Sequence, residues 1–548
     1  MNMFARGIVR CARLRSPAHP LKRAASGAQA VKRYSSSSAP AGSSPAPTQS
    51  GASLLGSLTS ELDKISPRFE VQPDQIEILK TPSEFYENLK TKISTAKRRI
   101  YLSTLYIGKT EHELPPDKTQ ISVIRDALLR NPDLKVSFLT DALRGTRETP
   151  NPSCASLLAP LITEFGKDRV EIRMFHTPNL HGLRKKLIPK RINEGWGLQH
   201  MKLYGVDDEL IMSGANLSND YFTNRQDRYH VFRSAAITDY FSRIHDAICS
   251  LSYQILPSKE PAGYTMDWPS SNPSPSPLTD RHAFKNAASS LLTPLIRPSS
   301  PPSPSPFSSP SSPTEPKATT LIYPLLQFTP ILPPAHDTST ELPALTSLLT
   351  LLTQPSHHKS TWTFTAGYFN MTPGIRSLLL RTNPASGTVI AASPRANGFY
   401  GSKGVSGMLP PAYTHLAKVF LRAVEAAGLS RSVKLLEWQH GTVGEPSGWT
   451  YHAKGLWVSP PSQNPPVPQI SLVGSSNYTA RSHGLDLEAN VLLVTSAPAL
   501  QQKLGEEEAL LREHAKEVGW DEFAKVERRV GLHVRLAMGI VRILGGAL

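Results

Sequence analysis

Two short segments of the chain carry the residue types of a phosphate-cleaving site. Each contains a histidine and a lysine two positions apart, namely His200 with Lys202 and His452 with Lys454. Side chains two positions apart on an extended strand point to the same face of a sheet. Each pair is followed by a Gly/Ser/Asn segment and then by an acidic residue. The same order of residue types therefore occurs twice, which a chance match to a single His-x-Lys does not explain.

Two histidines that face each other can cleave a phosphodiester without a metal ion or a cofactor. One neutral imidazole attacks phosphorus and forms a phosphohistidine, and the other, as imidazolium, protonates the leaving oxygen. Lysines and asparagine amides bind the non-bridging oxygens in the transition state, and a carboxylate fixes each imidazole tautomer. We therefore predict one site without metal or cofactor, whose residues are His200, Lys202, Asn216, His452, Lys454, Asn477 and Glu488.

The secondary structure predicted around the two segments also occurs twice. Strands rich in β-branched and aromatic residues precede each His-Lys pair. They are predicted at 99–108, 135–140 and 170–175 in the first half, and at 361–369, 388–392 and 433–438 in the second. Alternating strands and helices indicate α/β layers, and two unrelated α/β domains would not share this order. We therefore predict two fused α/β domains, 70–260 and 318–500, related by an internal repeat and sharing one active site at their interface.

Proline and serine are concentrated between the two predicted domains. The chain has 49 prolines, too many for one compact fold, and residues 268–317 form a Pro/Ser tract with few apolar side chains. We interpret residues 261–317 as a disordered insertion. Residues 36–69 are interpreted as a low-complexity linker, and residues 501–548 as a C-terminal amphipathic helical region.

The N-terminus has the composition of a targeting sequence. Residues 1–35 contain eight arginines and lysines, and no acidic residue precedes Glu61. An Arg- and Ser-rich segment without acids predicts a mitochondrial transit peptide, with a basic tail as the alternative. The three cysteines lack metal-ligand spacing, which favours a reducing compartment. No uncharged apolar run is long enough to span a bilayer, so no transmembrane helix is predicted.

The repeated pattern, H-x-K-x4-D with a trailing Gly-Ser/Ala-x-Asn, resembles the phospholipase D superfamily. Members of that superfamily join two such half-sites into one centre that cleaves phosphodiesters. The surrounding stretches resemble the phosphatidylglycerophosphate synthases of eukaryotic mitochondria, at 188–194, 197–204, 210–229, 398–407 and 481–488. The resemblance covers residues 70–260 and 318–548, and the Pro/Ser tract is a departure from it.

This resemblance implies a reaction and a role for each residue. The family transfers the phosphatidyl group of CDP-diacylglycerol to glycerol 3-phosphate and releases CMP. By analogy His200 attacks phosphorus and His452 protonates the leaving group, then acts as base for the acceptor hydroxyl, although the pair is pseudosymmetric. Asp207 joins the predicted catalytic set as the motif's hydrogen-bonding residue. Ser459 stands at the equivalent position of the second motif and is left out.

Selecting glycerol 3-phosphate over water requires cations that bind its phosphate. Arg225 and Arg228 are the predicted ligands, and the basic cluster 184–186 is another candidate, with a solvated basic face as the alternative. The run 398–404 either wraps a phosphate in backbone amides or is a flexible loop. The formal net charge of +16 favours anionic lipid and phosphate substrates.

A lipid substrate without a membrane span implies association with the membrane surface. The stretch from Glu522 has apolar residues at helical spacing and basic residues elsewhere, which predicts a helix that lies on an anionic membrane or packs on the second domain. We expect a peripheral protein of the mitochondrial inner membrane, facing the matrix. Aromatic residues are sparse at 7%, so no nucleic-acid partner is predicted.

Four other functions stay open at the level of sequence. The same scaffold supports a phospholipase D-type cardiolipin synthase, a lipid phosphodiesterase or a nuclease. The serine at position 459 also leaves open a binding protein with a decayed site. Stimulation by a divalent metal acting through CDP is a further open point.

Overall fold

The computed structural model describes most of the chain after its N-terminal segment. The described residues are 53–108, 119–190, 192–298, 305–307, 319–461 and 465–543. The predicted transit peptide at 1–35 lies outside them. The described elements belong to one compact unit, Gly51–Leu548. Among them, no helix combines the length and the apolar character that crossing a membrane requires.

Two nine-stranded sheets form the centre of the fold, and the first uses strands from the first half of the chain. Its strands are β2 (Ile76–Leu79), β3 (Arg99–Ser103), β4 (Lys135–Asp141), β5 (Val170–Phe175), β6 (Leu203–Val206), β7 (Glu209–Ser213), β9 (Tyr229–Arg233), β10 (Tyr253–Pro257) and β11 (Tyr264–Asp267). Their spatial order is β11-β10-β5-β4-β3-β6-β7-β9-β2. The predicted strands of this half correspond to β3, β4 and β5, which pair in parallel.

The second sheet is built mainly from the second half of the chain. Its strands are β1 (Phe69–Val71), β12 (Thr320–Gln327), β13 (Thr361–Ala366), β14 (Ser386–Ala392), β15 (Val433–Trp438), β17 (Lys454–Ser459), β18 (Ile470–Gly474), β19 (Glu488–Thr495) and β20 (Ala515–Glu517). Their order is β1-β12-β19-β18-β17-β13-β14-β15-β20. Two further short strands, β8 (Arg225–Gln226) and β16 (Thr450–Tyr451), pair in parallel and connect the halves.

The two sheets share the order of six central strands. The series β5-β4-β3-β6-β7-β9 corresponds to β15-β14-β13-β17-β18-β19. In each sheet three parallel strands are followed by three antiparallel ones. The predicted α/β fold class is therefore confirmed. The boundary at residue 70 stays a prediction, and β1 pairs with β12 of the second sheet rather than with the first.

Most of the described α-helices pack on these sheets through apolar faces, whereas Gly182–Leu187 buries no residue. A typical case is Ala235–Ser250, which buries Ile237, Phe241 and Ile244 at helical spacing. The described α-helices are Leu54–Leu62, Pro82–Ser94, Gln120–Arg130, Ala142–Gly145, Cys154–Phe165, Gly182–Leu187, Asn219–Thr223, Ala235–Ser250, Arg281–Ile296, Glu341–Leu352, Pro373–Arg381, Leu409–Ala426, Ala480–Gly484, Pro498–Glu513, Trp520–Ala524 and Leu532–Ile543.

The predicted disorder of 261–317 is wrong for its described first part. This part contains β11 and the helix Arg281–Ile296, which buries Phe284, Ala288 and Leu292 completely. Asp280 caps the helix by accepting hydrogen bonds from two backbone N–H groups. The Pro/Ser content of the whole stretch hid the spacing of these apolar residues, which repeats every four positions. Residues 299–304 and 308–318 lie outside the described residues.

The predicted linker 36–69 is likewise ordered where it is described. The helix Leu54–Leu62 buries Leu58 and Leu62 in the hydrophobic cluster of the second sheet. Ser53 caps this helix by accepting a hydrogen bond from the N–H of Gly56 at 3.1 Å. The C-terminal region is helical as predicted, and it also adds β20 to an edge of the second sheet.

One hydrophobic cluster joins the two sheets. It contains Leu203 and Phe241 from the first half, together with Trp457 and Leu487 from the second. Burial of such surface stabilises a fold by about 25 cal/mol per Å², so this cluster holds the sheets together. The two His-Lys segments stand at the starts of β6 and β17, and the shared core fixes both.

Candidate active site

His200 lies just before β6 rather than within a strand. Gln199 forms a parallel bridge with Leu487, and the His200 N–H donates to the Leu487 carbonyl at 2.9 Å. The Nδ1 atom of His200 lies 2.9 Å from the carboxylate of Glu488. The histidine of the first half is therefore oriented by a carboxylate of the second half.

His452 has the reciprocal arrangement. It follows β16, and its N–H donates to the carbonyl of Gln226 at 2.8 Å. Its Nδ1 atom lies 2.6 Å from Oδ2 of Asp227, a residue of the first half. An ionised carboxylate only accepts hydrogen bonds, so it places the imidazole proton on Nδ1 and leaves Nε2 unprotonated. Both half-sites thus use a histidine and a carboxylate from opposite halves of the chain.

Each of the two lysines contacts the backbone of the histidine two positions before it. Lys202 donates to the carbonyl of His200 at 2.7 Å, and Lys454 donates to the carbonyl of His452 at 2.6 Å. Lys454 also donates to Asp227 at 3.2 Å. Burial lowers the pKa of Lys202 to about 7 and lowers that of Lys454. Each lysine therefore supports the backbone of its own histidine and supplies positive charge at short range.

Both imidazoles are neutral at neutral pH. Burial, assisted by the charge of Lys202, lowers the pKa of His200 well below its usual value. Burial and the charge of Lys454 lower the pKa of His452 to about 3. A bound phosphate would raise both values, because nearby negative charge favours the imidazolium. Neutral imidazoles are the form that nucleophilic attack and proton abstraction require.

The two carboxylates differ in their electrostatic environment. Burial raises the pKa of Glu488 to about 7, against the opposing charge of Lys202. Burial also acts to raise the pKa of Asp227, but the charge of Lys454 and the hydrogen bond from His452 outweigh it and hold that pKa low. Asp227 is therefore firmly ionised, whereas Glu488 exchanges its proton near neutral pH.

The two predicted asparagines occupy equivalent places after β7 and β18. Asn216 donates to the hydroxyl of Tyr221 at 3.1 Å and accepts from the N–H of Leu105 at 3.3 Å. Asn477 has a buried Oδ1 with no hydrogen-bond partner among the described residues. Both line the cavity that contains the two histidines. An unpartnered buried amide oxygen is costly unless a ligand reaches it.

A cavity of about 420 Å³ opens above the histidines and is rich in arginine. Its lining includes Arg144, Arg147, Arg225 and Arg481. Arg225 was predicted from the sequence, and Arg481 lies in a stretch that resembles the family. Arg144 and Arg147 were missed, because they follow β4 and belong to no motif. The arrangement can hold two anionic groups, since planar guanidinium groups match phosphate oxygens.

Two tyrosines that the sequence did not single out flank His452. Tyr221 and Tyr368 approach its ring edge-on, with centroid distances of 5.2 and 5.4 Å. The hydroxyl of Tyr221 lies 3.3 Å from Nε2 of His452. Tyr413 stacks on Tyr368 at 5.7 Å. These rings restrict the imidazole and explain part of its desolvation.

Asp207 is not in the site, contrary to its predicted place in the catalytic set. It lies in the turn between β6 and β7 with a φ of 51°. Its carboxylate accepts hydrogen bonds from the backbone N–H groups of Lys97, Arg98 and Arg99 at 2.9, 2.8 and 3.2 Å. Asp207 therefore fixes the start of β3 to the end of β6, which is a structural role.

Arg228 is also placed away from the cavity that it was predicted to line. Its guanidinium bonds both carboxylate oxygens of Glu507 at 2.9 and 2.8 Å and the carbonyl of Leu472 at 2.8 Å. It stacks over the ring of Trp457 at 3.8 Å. With every face of the guanidinium occupied, Arg228 serves the core rather than a substrate. The basic cluster 184–186 lies on the helix Gly182–Leu187 and does not line the cavity either.

His200 and two carboxylates near it are close enough together to be considered as a metal site. His200, Asp486 and Glu488 each place a nitrogen or oxygen atom within 4.8 Å of the others. Glu488 is already bonded to His200, and Asp486 to Arg481 at 2.8 Å. The guanidinium of Arg481 would also repel a divalent cation. We therefore interpret this group as a hydrogen-bond network.

Comparison with curated proteins decides the family. The CDP-diacylglycerol–glycerol-3-phosphate 3-phosphatidyltransferase of Saccharomyces pastorianus is 44% identical over 504 residues, covering 91% of this chain and 93% of the relative. The protein of that name from Saccharomyces cerevisiae is 44% identical over 492 residues, covering 89% of this chain and 91% of the relative. The chain belongs to this transferase family. A relative from Cricetulus griseus, whose name adds "mitochondrial", is 36% identical over 494 residues, covering 87% of this chain and 84% of its own.

Comparison with solved structures supports the fold of this transferase. A phosphatidylserine synthase from Haemophilus influenzae superposes with a TM-score of 0.64, covering 89% of this chain and 97% of that one. The two sequences are 20% identical, so the likeness shows the fold alone. A scan against protein-family profiles finds no match. The resemblance inferred from the sequence motifs is thus confirmed at the level of the family.

Proposed function

We propose that this transferase moves the phosphatidyl group of CDP-diacylglycerol to glycerol 3-phosphate, giving phosphatidylglycerophosphate and CMP. The observation that carries this proposal is the pair of crossed contacts, His200 with Glu488 and His452 with Asp227. They hold two neutral imidazoles in one arginine-rich cavity. The names of the curated relatives support the same substrates.

The first step forms a phosphatidyl-histidine. The unprotonated Nε2 of His200 attacks the phosphorus that carries diacylglycerol, and the bond from this phosphorus to the oxygen of CMP breaks. The electron pair leaves with CMP, and His452, protonated because the bound phosphates raise its pKa, donates its proton to the leaving oxygen and becomes neutral. Glu488 accepts a hydrogen bond from Nδ1 of His200 and stabilises the charge that develops on the ring.

The second step transfers the phosphatidyl group to the acceptor. Neutral His452 removes the proton from the primary hydroxyl of glycerol 3-phosphate, and the oxygen attacks phosphorus while the bond to His200 breaks. Burial keeps His452 unprotonated at neutral pH, which this role as a base requires. Asn216 and Asn477 are the proposed ligands of the non-bridging oxygens. Lys202 and Lys454, which bond the backbone of the two histidines, contribute positive charge.

Arg225 is the proposed ligand for the phosphate of the acceptor. It lines the cavity, donates to Thr450 at 2.9 Å and pairs with Asp220 at 2.8 Å. Arg144 lines the same cavity with its guanidinium stacked 4.2 Å over Tyr106. Two fixed guanidinium groups would favour a phosphorylated alcohol over water.

An acceptor assay tests this function. Purified protein is incubated with CDP-diacylglycerol and glycerol 3-phosphate, and both CMP and the lipid product are measured. We expect equal amounts of CMP and phosphatidylglycerophosphate, and no turnover with His200→Ala or His452→Ala. A phosphatidic acid product without added acceptor, or phosphatidylglycerol as the better acceptor, would instead favour the phosphodiesterase or the cardiolipin synthase.

We also propose that the chain binds the surface of an anionic membrane. The helix Leu532–Ile543 exposes Leu532, Leu536 and Ile540, with 68%, 59% and 56% of their surfaces open to solvent. These residues are four positions apart and form one apolar stripe. Such a stripe on a helix with basic neighbours is typical of interfacial helices.

Vesicle binding tests the membrane proposal. We expect the wild type to sediment with vesicles that contain anionic phospholipid, and less so in high salt. The double variant Leu536→Ser/Ile540→Ser should bind several times more weakly. The matched control is His533→Ser, also exposed on this helix but outside the stripe. Equal binding by both variants would contradict the proposal.

We also propose that the protein lies at the matrix face of the mitochondrial inner membrane. The composition of residues 1–35 supports import, and the names of several relatives include "mitochondrial". A fluorescent protein fused to residues 1–35 should enter mitochondria, and the full protein should resist added protease until the inner membrane is opened. A fusion that stays in the cytosol would contradict the transit peptide.

A further inference from the structure

An apolar groove of about 470 Å³ lies next to the active-site cavity. Three helices contribute to its walls, namely Pro373–Arg381, Leu409–Ala426 and Leu532–Ile543. Its apolar lining includes Phe369, Met371, Leu416, Val419, Phe420 and Met538. The volume falls in the range of small-molecule sites, roughly 300–1,000 Å³. The groove therefore has the size and chemistry to hold part of a ligand, and the catalytic chemistry makes no use of it.

The groove continues from the cavity along two pieces of backbone. Tyr368 lines the cavity and the next residue, Phe369, lines the groove. Thr479 and Ala480 repeat this relation on the other side. Met371 and Thr479 form an antiparallel bridge that brings the two pieces together. A ligand that starts in the cavity can therefore extend into the groove.

One helix also runs from the cavity to the groove. Leu409–Ala426 presents Tyr413 to the cavity and Leu416, Val419 and Phe420 to the groove. A helix rises about 1.5 Å per residue, so Leu416 lies roughly 5 Å farther along the axis than Tyr413. This separation is short compared with a lipid acyl chain.

Two arginines stand among the apolar side chains. Arg376 and Arg535 line the groove, as does His415, whose pKa is lowered by burial and by the charge of Arg535. A purely hydrocarbon ligand would leave these arginines unused, whereas an acyl chain of a lipid begins at an ester whose oxygens accept hydrogen bonds. The groove thus matches the acylated end of a lipid rather than a free hydrocarbon.

We propose that the groove holds one acyl chain of CDP-diacylglycerol while its phosphates occupy the cavity. This inference rests on the proposed function. The side chains of His200 and His452 are only 12% and 5% exposed, so the reacting phosphorus must leave the membrane surface to reach them. The diacylglycerol follows it, and an acyl chain drawn out of the membrane would meet water unless the protein covers it.

The C-terminal helix lies where an acyl chain would move from the membrane into the groove. Met538 and Val541 of this helix line the groove, whereas Leu536 and Ile540 face solvent. The helix therefore separates the groove from the surface that we propose lies on the membrane. An acyl chain that enters the groove beside this helix would contact apolar side chains along its whole path.

Filling the groove tests this inference. Val419→Trp and Met538→Trp add bulk from opposite walls, and Glu425→Trp is the matched control, exposed on the same helix as Val419. The value of kcat/KM is measured in mixed detergent micelles for CDP-diacylglycerol with two oleoyl chains and with two hexanoyl chains. We expect the long-to-short ratio to fall by roughly tenfold in both groove variants, and to match the wild type in the control.

The short-chain substrate separates the possible failures. Its turnover should be unchanged in the groove variants, which also shows that they are folded. An unchanged ratio in both variants, or an equal loss for the two substrates, would overturn the acyl-chain assignment while leaving the proposed function intact. A wild type that transfers neither substrate to glycerol 3-phosphate would contradict the proposed function itself.

Discussion

Each imidazole of the candidate active site takes its orientation from a residue that the chain places more than two hundred positions away. Asp227 holds Nδ1 of His452, and Glu488 holds Nδ1 of His200. The partner decides the tautomer, because only a proton on Nδ1 leaves Nε2 unprotonated for chemistry. Activity should therefore depend on these carboxylates far more than on the aspartate of the sequence motif.

A pair of isosteric variants tests this distinction. Asp227→Asn keeps the shape of the side chain but lets His452 adopt the wrong tautomer, so kcat should fall by roughly 10³–10⁴-fold. Asp207→Asn should keep kcat per folded molecule and lose about 1–3 kcal/mol of stability, because a carboxylate that accepts three backbone N–H groups becomes an amide. CMP release and thermal unfolding measure the two effects. A similar fall in kcat for both variants would contradict the structural role of Asp207.

A second buried acid lies behind the site and gives a prediction about pH. Glu341 accepts hydrogen bonds from Ser476 at 2.7 Å and Asn490 at 2.8 Å, and burial raises its pKa to about 8 from 4.5. Between these two values the folded protein keeps a proton that the unfolded chain loses. The contribution of this group to stability is therefore fully present below pH 4.5 and is lost as pH rises toward 8.

Glu341→Gln removes this titration. The free energy of unfolding of the variant, minus that of the wild type, should increase between pH 5 and pH 8 by at most about 1.4 kcal/mol per pH unit. Urea unfolding followed by circular dichroism at a series of pH values measures it. The control is Glu425→Gln, an exposed residue whose difference from the wild type should be flat. A flat difference for Glu341→Gln as well would show that its carboxyl is not perturbed.

At the scale of elements, variants of the helix Arg281–Ile296 test whether this Pro/Ser-rich stretch is folded. Leu292→Ala should lower the free energy of unfolding by about 2–5 kcal/mol, because Leu292 is fully buried in the core that joins the sheets. Asn286→Ala, exposed on the same helix, should change it by less than about 0.5 kcal/mol. If the two variants unfold alike, the disordered interpretation of this stretch is correct after all.

Local patterns predicted the elements that carry local signals, and missed those that depend on distant contacts. The strands at 170–175 and 433–438 were predicted with their observed bounds, because apolar residues recur there mainly at alternate positions. The histidines and lysines were found because their spacing repeats. The carboxylate of each imidazole was not assignable, since β8 and β16 cross between the halves only in the folded chain. Arg144 lies in the short helix Ala142–Gly145 after a strand and belongs to no motif, so the sequence gave no signal for it.

Over the whole molecule, the two sheets behave as one structure because polar as well as apolar contacts join them. Arg228, directly before β9 of the first sheet, bonds Glu507 on the helix Pro498–Glu513 and a carbonyl of β18 in the second. His230 of β9 lies 3.0 Å from the same carboxylate. Burial acts to raise the pKa of Glu507, but the charge of Arg228 and the contact with His230 outweigh it and hold that pKa well below its usual value. The carboxylate is therefore ionised in the core and needs its partner.

Comparison of Arg228→Met with Arg225→Met separates the core ion pair from the substrate site. Arg228→Met leaves the charge of Glu507 buried without its main partner and should cost about 3–5 kcal/mol of stability, with the KM for glycerol 3-phosphate unchanged. Arg225→Met should raise that KM by roughly 10–100-fold, as expected for loss of a charged hydrogen bond. Adding Glu507→Leu to Arg228→Met should recover part of the lost stability, because it removes the unpaired charge. A raised KM in the Arg228 variant would show that this arginine binds the substrate after all. Unchanged stability would show that the ion pair does not hold the two halves together.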